Sequence, residues 1–160
     1  MDYTFHYASP LGCIMLSSDG DALTGLWFDG QKYFADTLDA EHCEKALPIF
    51  DETAEWLDLY FAGIVPDFTP KLSPRGTSFR RRVWDVLLTI PYGQTMTYGQ
   101  IAKALGCGSA QAVGGAVGHN PISLIIPCHR VVGAGGSLTG YAGGVEKKRS
   151  LLEMEQAVKK

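Results

Sequence analysis

Charge of one sign is scarce in each half of this 160-residue chain. Residues 1–72 hold three bases (Lys32, Lys45, Lys71) against thirteen acids, a balance of −10. Residues 73–160 hold four acids (Asp85, Glu146, Glu153, Glu155) against eleven bases, a balance of +7. Such asymmetry suggests two units with different partners, the second of them nucleic acid; charge balance between two packed halves is the alternative. Cysteine is sparse too. Cys13, Cys43, Cys107 and Cys128 are widely spaced and form no CxxC pair, which excludes a zinc-ribbon or disulfide framework and fits free thiols in the cytoplasm. His42-Cys43 is a weak metal candidate: adjacent ligands without a second pair make no zinc pattern, and it reads as surface residues in a loop. No apolar run is long enough to span a membrane. The start, MDYTFHYASP, lacks a basic region followed by an apolar core, so no secretory signal is expected.

What is present is an ordinary globular composition, 46% hydrophobic and 19% charged. A polar stretch with three prolines, PDFTPKLSPRGTS at 66–78, reads as a linker and divides the chain into units 1–72 and 73–160. In the first, YTFHYAS and GCIMLSS read as paired strands and ALTGLWF as a third. Residues 49–62 carry helical spacing through Phe50, Ala54, Leu57 and Phe61, closed by Gly63. Nothing in this unit looks catalytic. The predicted class is α+β: a small N-terminal antiparallel sheet with helical cover, followed by a mainly helical domain with a helix-turn-helix.

That motif is read from three signals. Ser78 can cap a helix with Phe79, Val83, Val86, Leu87 and Ile90 inward, ended by Pro91. Thr97 and Gln100 have capping-box spacing before the stripe Ile101, Ala104, Leu105, and Gly106 stops that helix. Ser109 can cap a second short helix, AQAVGGAVG. Glycine costs about 1 kcal/mol per helical site relative to alanine. Gly114-Gly115 therefore needs a reason: either a neighbouring helix packed tightly on it, or a nucleic-acid groove, the minor groove being only about 6 Å wide.

The chemistry concentrates in SLIIPCHRVVGAGG, residues 123–136. Leu124–Ile126 and Val131-Val132 read as buried strands, and between them sit a thiol, an imidazole and a guanidinium. Buried polar groups need partners, so a core strand has no packing reason to hold them. A free thiol, with a pKa of about 8.5, is a few per cent thiolate at neutral pH and needs a base. His129 is the candidate, but adjacent side chains of an extended segment diverge, so contact needs a bend at Pro127 or a bridging water. Glu155, on a predicted C-terminal helix over 146–160, is an acid available to fix the imidazole tautomer.

IPCHRVVG resembles the active-site signature of the O6-alkylguanine-DNA alkyltransferases. FRRRVWDVLLTIPYGQTMTYGQIAKALG, AVGGAVGHNP, GYAGGVEKK and LLEME resemble the same family in the same order, over roughly residues 77–156. The first half resembles it through YASPLGCIML.

The resemblance implies an irreversible, single-turnover transfer of the alkyl group of O6-alkylguanine in duplex DNA to Cys128. His129 would deprotonate the thiol through a water, Glu155 would orient His129, and Asn120 would join the recognition helix to the active-site segment. Tyr98 would press on the phosphate backbone. Gln111, Ala112, Gly114 and Gly115 would face DNA from the recognition helix. Arg130 and Val131 would also lie among the residues that bind DNA or the flipped base, Arg130 besides anchoring the segment, and Tyr141, Ala142 and Gly143 would line the guanine pocket. No cofactor and no metal is implied, nor a membrane; the protein would act as a cytoplasmic monomer. Two residues depart from the family pattern: Gln111 stands where many members have arginine, and Ala142 where some have serine. A non-catalytic binder of alkylated DNA would lack the thiol. A cysteine hydrolase would need an oxyanion hole and repeated turnover. A sequence-specific regulator is disfavoured by the small-residue helix.

Overall fold

A computed structural model describes residues 1–138 and 140–155. Three strands open the chain: β1 (Asp2–Ser9), β2 (Gly12–Ser18) and β3 (Leu23–Phe28). They pair antiparallel in sequence order, and Gly12 supplies the left-handed residue (φ 116°) at the first turn. A short β4 (His42–Glu44) joins β1 in parallel, giving the order β3-β2-β1-β4. His42 and Cys43 thus lie on an exposed edge strand rather than in a loop, and no cluster of three metal-ligand types occurs among the described residues.

The helix α1 (Pro48–Phe61) covers the sheet. Its buried face is Ile49, Phe50, Thr53, Trp56, Leu57 and Tyr60, so Ala54 and Phe61 sit at its margin. The helical half has α2 (Ser78–Leu87), a two-residue β5 (Met96–Thr97), α3 (Tyr98–Ala104), α4 (Ala110–Gly118), β6 (Val131–Val132) and α5 (Val145–Met154). The cap of α2 is Thr77, not Ser78: its hydroxyl accepts from the Arg80 amide at 3.2 Å. The helix ends at Leu87, and Leu88–Ile90 finish it as tight turns before Pro91. The capping box at Thr97 and Gln100 is present, as is the Ser109 cap of α4. On α3 it is Ala102, not Ala104, that is buried beside Ile101.

Two expectations change. Leu124–Ile126 is buried but is no strand; it turns, with Leu124 left-handed at φ 70°. Pro121 and Pro127 flank it, and neither has an amide to offer a strand ladder. Residues 66–77 have no helix or strand, yet they are not a loose linker. The Leu23 amide donates to Lys71 (2.8 Å), the Ser73 amide to Leu23 (2.8 Å), and Arg75 pairs with the buried Asp2. Residues 121–123 dock further along β3, where the Leu26 amide donates to Pro121 (2.8 Å) and the Ser123 amide to Leu26 (3.0 Å). The free edge of β3 is thereby paired with backbone from the helical half. One apolar core runs through both halves, with Leu26, Phe28 and Tyr60 from one side and Val83, Trp84 and Ile126 from the other. The predicted helix over 146–160 is seen through Met154; residues 156–160 lie outside the described residues.

Candidate active site

Cys128 opens a 3-10 turn, Cys128–Arg130, that begins just after Pro127. The turn is the bend that an extended segment lacked. It sits in a frame built by Asn120, whose side-chain amide donates to the Ile126 carbonyl (2.8 Å) and the Ile122 carbonyl (3.3 Å), while its oxygen accepts from the Ile122 amide (3.0 Å). One buried side chain thus satisfies the carbonyls that a strand would otherwise have paired, and it ties the end of α4 to the Cys128 segment.

Cys128 is 4% exposed, His129 0% and Glu155 3%. His129 Nε2 donates to Glu155 Oε2 at 2.7 Å. A carboxylate can only accept, so this bond holds the proton on Nε2 and leaves Nδ1 as a bare lone pair. Nδ1 is buried and has no partner among the described residues. Glu155 is the hub beneath. It also accepts from Arg130 Nε (2.8 Å), Arg130 Nη2 (3.2 Å), the Tyr60 hydroxyl (2.5 Å) and the Gly93 amide (3.2 Å). Arg130 Nη1 donates to the Ile90 carbonyl (2.8 Å), so this guanidinium is an anchor.

The electrostatics follow. Burial alone would raise the Glu155 carboxyl pKa, but the hydrogen bonds from His129, Arg130 and Tyr60 hold it well below the carboxylate range. Burial pushes His129 down against the pull of Glu155, so the imidazole rests neutral. Burial pushes the Cys128 thiol up, opposed by the Asn120 amide and the Lys148 ammonium, so the thiol rests protonated. Lys148, fully buried on α5, is itself brought down to about 8 by burial.

Above this cluster lies an open pocket of about 320 Å³. Tyr98, Gly114, Gly115, Gly140, Tyr141 and Ala142 line it. Tyr141 joins the two levels: it borders the pocket, and its buried phenol pKa is held well above the ordinary value by burial first and by the neighbouring Cys128 second. Gly143 is needed behind it, because a Cβ there would come within 2.7 Å of the Tyr141 ring. The glycines of α4 answer a different need. A Cβ at Gly115 would meet nothing within 4 Å, and one at Gly114 only the Tyr98 ring at 3.8 Å. No neighbouring helix packs tightly on them.

The structure brings together Cys128, His129, Arg130, Glu155 and Asn120 below, and Tyr98, Gly114, Gly115, Tyr141 and Ala142 above. Gln111 and Ala112 are exposed on α4 outside the pocket lining. Val131 is wholly buried in β6, its side chain in the core. Reading the sequence missed Tyr60, which enters from the first half, and Lys148. Both were visible as periodicity: Tyr60 continues the Phe50, Thr53, Leu57 face of α1, and Lys148 lies on one stripe with Leu151, Leu152 and Glu155.

Known proteins place this arrangement. Residues 2–74 match the 6-O-methylguanine DNA methyltransferase ribonuclease-like domain, and residues 78–157 match the DNA-binding domain of the same proteins. The chain belongs to the 6-O-methylguanine DNA methyltransferase family. It is 47% identical over 150 residues to the methylated-DNA–protein-cysteine methyltransferase of Mycobacterium tuberculosis H37Rv, covering 93% of this chain and 89% of the relative. To the protein of the same description from Haemophilus influenzae it is 41% identical, covering 96% and 86%. Its fold superposes on the crystal structure of Mycobacterium tuberculosis OGT in complex with DNA with a TM-score of 0.85 and 45% identity, over 98% of this chain and 92% of that one. No described helix is long and apolar enough to cross a membrane.

Proposed function

We propose that this chain moves the alkyl group of O6-alkylguanine in double-stranded DNA, chiefly O6-methylguanine, to its own Cys128, once per molecule. Two observations support the assignment of the acceptor. His129 Nδ1 and Tyr141 Oη are buried polar atoms without a partner among the described residues. One belongs to the residue after the thiol, the other to the ring beside it, and native structures rarely leave such groups unpaired without a reason.

The alkyl carbon cannot be reached inside a duplex, so the base is turned out into the Tyr98–Tyr141 pocket, at a cost of a few kcal/mol. His129 Nδ1 takes the thiol proton through a water, while Glu155 keeps Nε2 protonated and stabilises the imidazolium. Lys148 and the Asn120 amide stabilise the thiolate. The sulfur attacks the alkyl carbon in line. The C–S bond forms as the C–O6 bond breaks, its electron pair goes to the guanine, and a proton completes the leaving base. The product is a thioether, which nothing in the site can hydrolyse, so the protein is consumed. Residues 73–160 carry the DNA-binding and transfer machinery, and residues 1–72 brace it through Tyr60. The open space over Gly114-Gly115 suits a closely approaching DNA groove better than side-chain readout. We expect a monomer working in the cytoplasm, its four thiols free.

Intact mass after incubation with a methylated oligonucleotide tests this. The chain should gain one methylene and no more, on the peptide holding Cys128. Cys128→Ala should bind the DNA and transfer nothing. Label on Cys13, Cys43 or Cys107 would overturn the assignment.

A further inference from the structure

The pocket has a wall that comes from the acidic half. Lys32 and Tyr33, in the segment between β3 and β4, line it together with Tyr98 and Tyr141. Their position is held from two sides. The Lys32 amide donates to the Ala142 carbonyl at 2.9 Å, which ties this segment to the pocket loop. The Tyr33 ring stacks on His119, with centroids 3.8 Å apart and planes 22° apart. His119 is in turn pinned at the end of α4 by its Nδ1 contact with the Gly115 carbonyl (2.8 Å). The backbone is unusual as well: Tyr33 (φ 61°) and Ala35 (φ 54°) are left-handed without being glycine. Such conformations persist only where the surroundings over-determine them, and they cluster at functional sites. Tyr33 nevertheless remains 39% exposed.

Charge gives the second strand of the argument. The first half has three bases. Lys71 is engaged by Asp21, and Lys45 lies over the Tyr3 ring. Lys32 lies at the rim of the pocket, 5.1 Å over the Tyr33 ring. In a half that repels phosphate overall, one cation stands where a nucleotide would enter.

We infer that Lys32 and Tyr33 belong to the site that receives the extruded nucleotide, Tyr33 as a fixed aromatic wall and Lys32 as the cation for one of its flanking phosphates. This rests on the reading of the pocket as the base site. The first half then contributes to substrate binding as well as to support.

The test uses the full chain, unsubstituted and as Lys32→Gln, Tyr33→Ala and Tyr33→Phe. Binding to an O6-methylguanine duplex is measured across salt, and single-turnover transfer is measured on that duplex and on free O6-methylguanine. Each phosphate contact contributes about 0.9 to the slope of log K against log salt, so Lys32→Gln should flatten the slope by about that amount. Loss of an aromatic contact to a base should slow transfer by Tyr33→Ala about five- to a hundredfold on duplex and free base alike, since both set the base against the same wall. Tyr33→Phe keeps the ring and should hold both rates within about twofold on the same grounds. An unchanged slope in Lys32→Gln together with unchanged rates in Tyr33→Ala overturns the inference. If Tyr33→Ala does not fold, the Lys32→Gln slope decides alone. Failure of the unsubstituted chain to take up methyl would sink the reading of the pocket itself, and this inference with it.

Discussion

The two sides of the Cys128 segment are built on opposite principles. Below it, Glu155 accepts from four residues, and the three side chains among these donors, His129, Arg130 and Tyr60, are buried. Above it, the pocket is edged by glycines with nothing packed tightly on them, and by the rings of Tyr33 and Tyr98, which remain partly open. The closed side fixes a proton on one imidazole nitrogen and cannot move without leaving a charge unpaired. The open side has little to hold it in shape except backbone bonds and ring contacts, and that leaves room for a large, flat ligand. Rigidity is needed where a proton must sit on one atom, and openness where a base must enter.

The sharpest way to break this contrast is Glu155→Gln. Breaking a buried ion pair costs about 3–5 kcal/mol, because Arg130 is left uncompensated. General-base assistance is worth roughly 10²–10⁴-fold. We expect a loss of stability of that size in urea unfolding and at least a hundredfold slower transfer by rapid quench. Transfer within twofold of the parent would mean that His129 needs no orienting partner.

On the open side, Gln111 offers one amide where an arginine would offer a planar, charged fork. A charge-assisted hydrogen bond is worth about 1.5–3 kcal/mol, roughly ten- to a hundredfold in the population of an extruded base. Gln111→Arg should raise the duplex-to-free-base ratio of single-turnover rates by up to that factor, and Gln111→Ala should lower it. Equal responses of both substrates would place the effect on the fold or the thiol rather than on the flipped state.

Proton placement gives a third comparison. His129 is held below its ordinary pKa by burial. Its neutral, basic form therefore persists below the usual value of about 6.5, and the transfer rate should stay on its plateau as pH falls through that point. Stability behaves differently. An unfolded His129 binds a proton below about pH 6.5 while the folded one resists, so this group destabilises the fold as pH drops. Glu155 acts in the same direction further down: its folded pKa is depressed, so its contribution is present above about pH 4.3 and is lost as pH falls through the folded value. Urea midpoints at pH 7.5 and 5.5 should fall with pH while the rate does not; a rate that drops with a midpoint at 6.5 would show an exposed, ordinary imidazole.

The smallest expected effect is that of the product on its own protein. A methyl added to a closely packed thiol costs typically about 1–3 kcal/mol through overpacking. Methylated protein should melt lower than the free form. An equal melting temperature would mean spare room around Sγ, and alkyl groups larger than methyl should then be accepted.

Much of this molecule was legible before any coordinates. Alternation and turn residues located β1–β3, cap spacing located α3 and α4, and the interrupted aliphatic run marked Cys128, His129 and Arg130, because local chemistry is written in local residue order. What escaped was long-range. Leu124–Ile126 reads as a strand by hydrophobicity alone; the flanking prolines break the ladder, and the Asn120 side chain, which carries no strand signal, holds the turn by the Ile122 and Ile126 carbonyls. Tyr60 is 95 residues from Glu155 and 69 from His129; its periodicity says that it is buried, but not against what. Lys148 shares a stripe with two leucines, and no spacing rule says that a thiol will face it. Lys32 and Tyr33 look like surface in an acidic half until residues 121–123 dock on β3 and bring the pocket loop within one hydrogen bond of Lys32. Sequence by itself determined which groups could react and where β1–β3 and the capped helices lie, since those follow from side-chain chemistry and short-range sterics. Only the tertiary structure decided which proton sits on which nitrogen, and which half of the chain walls the pocket, because both depend on partners that the chain brings together through the packing of its core.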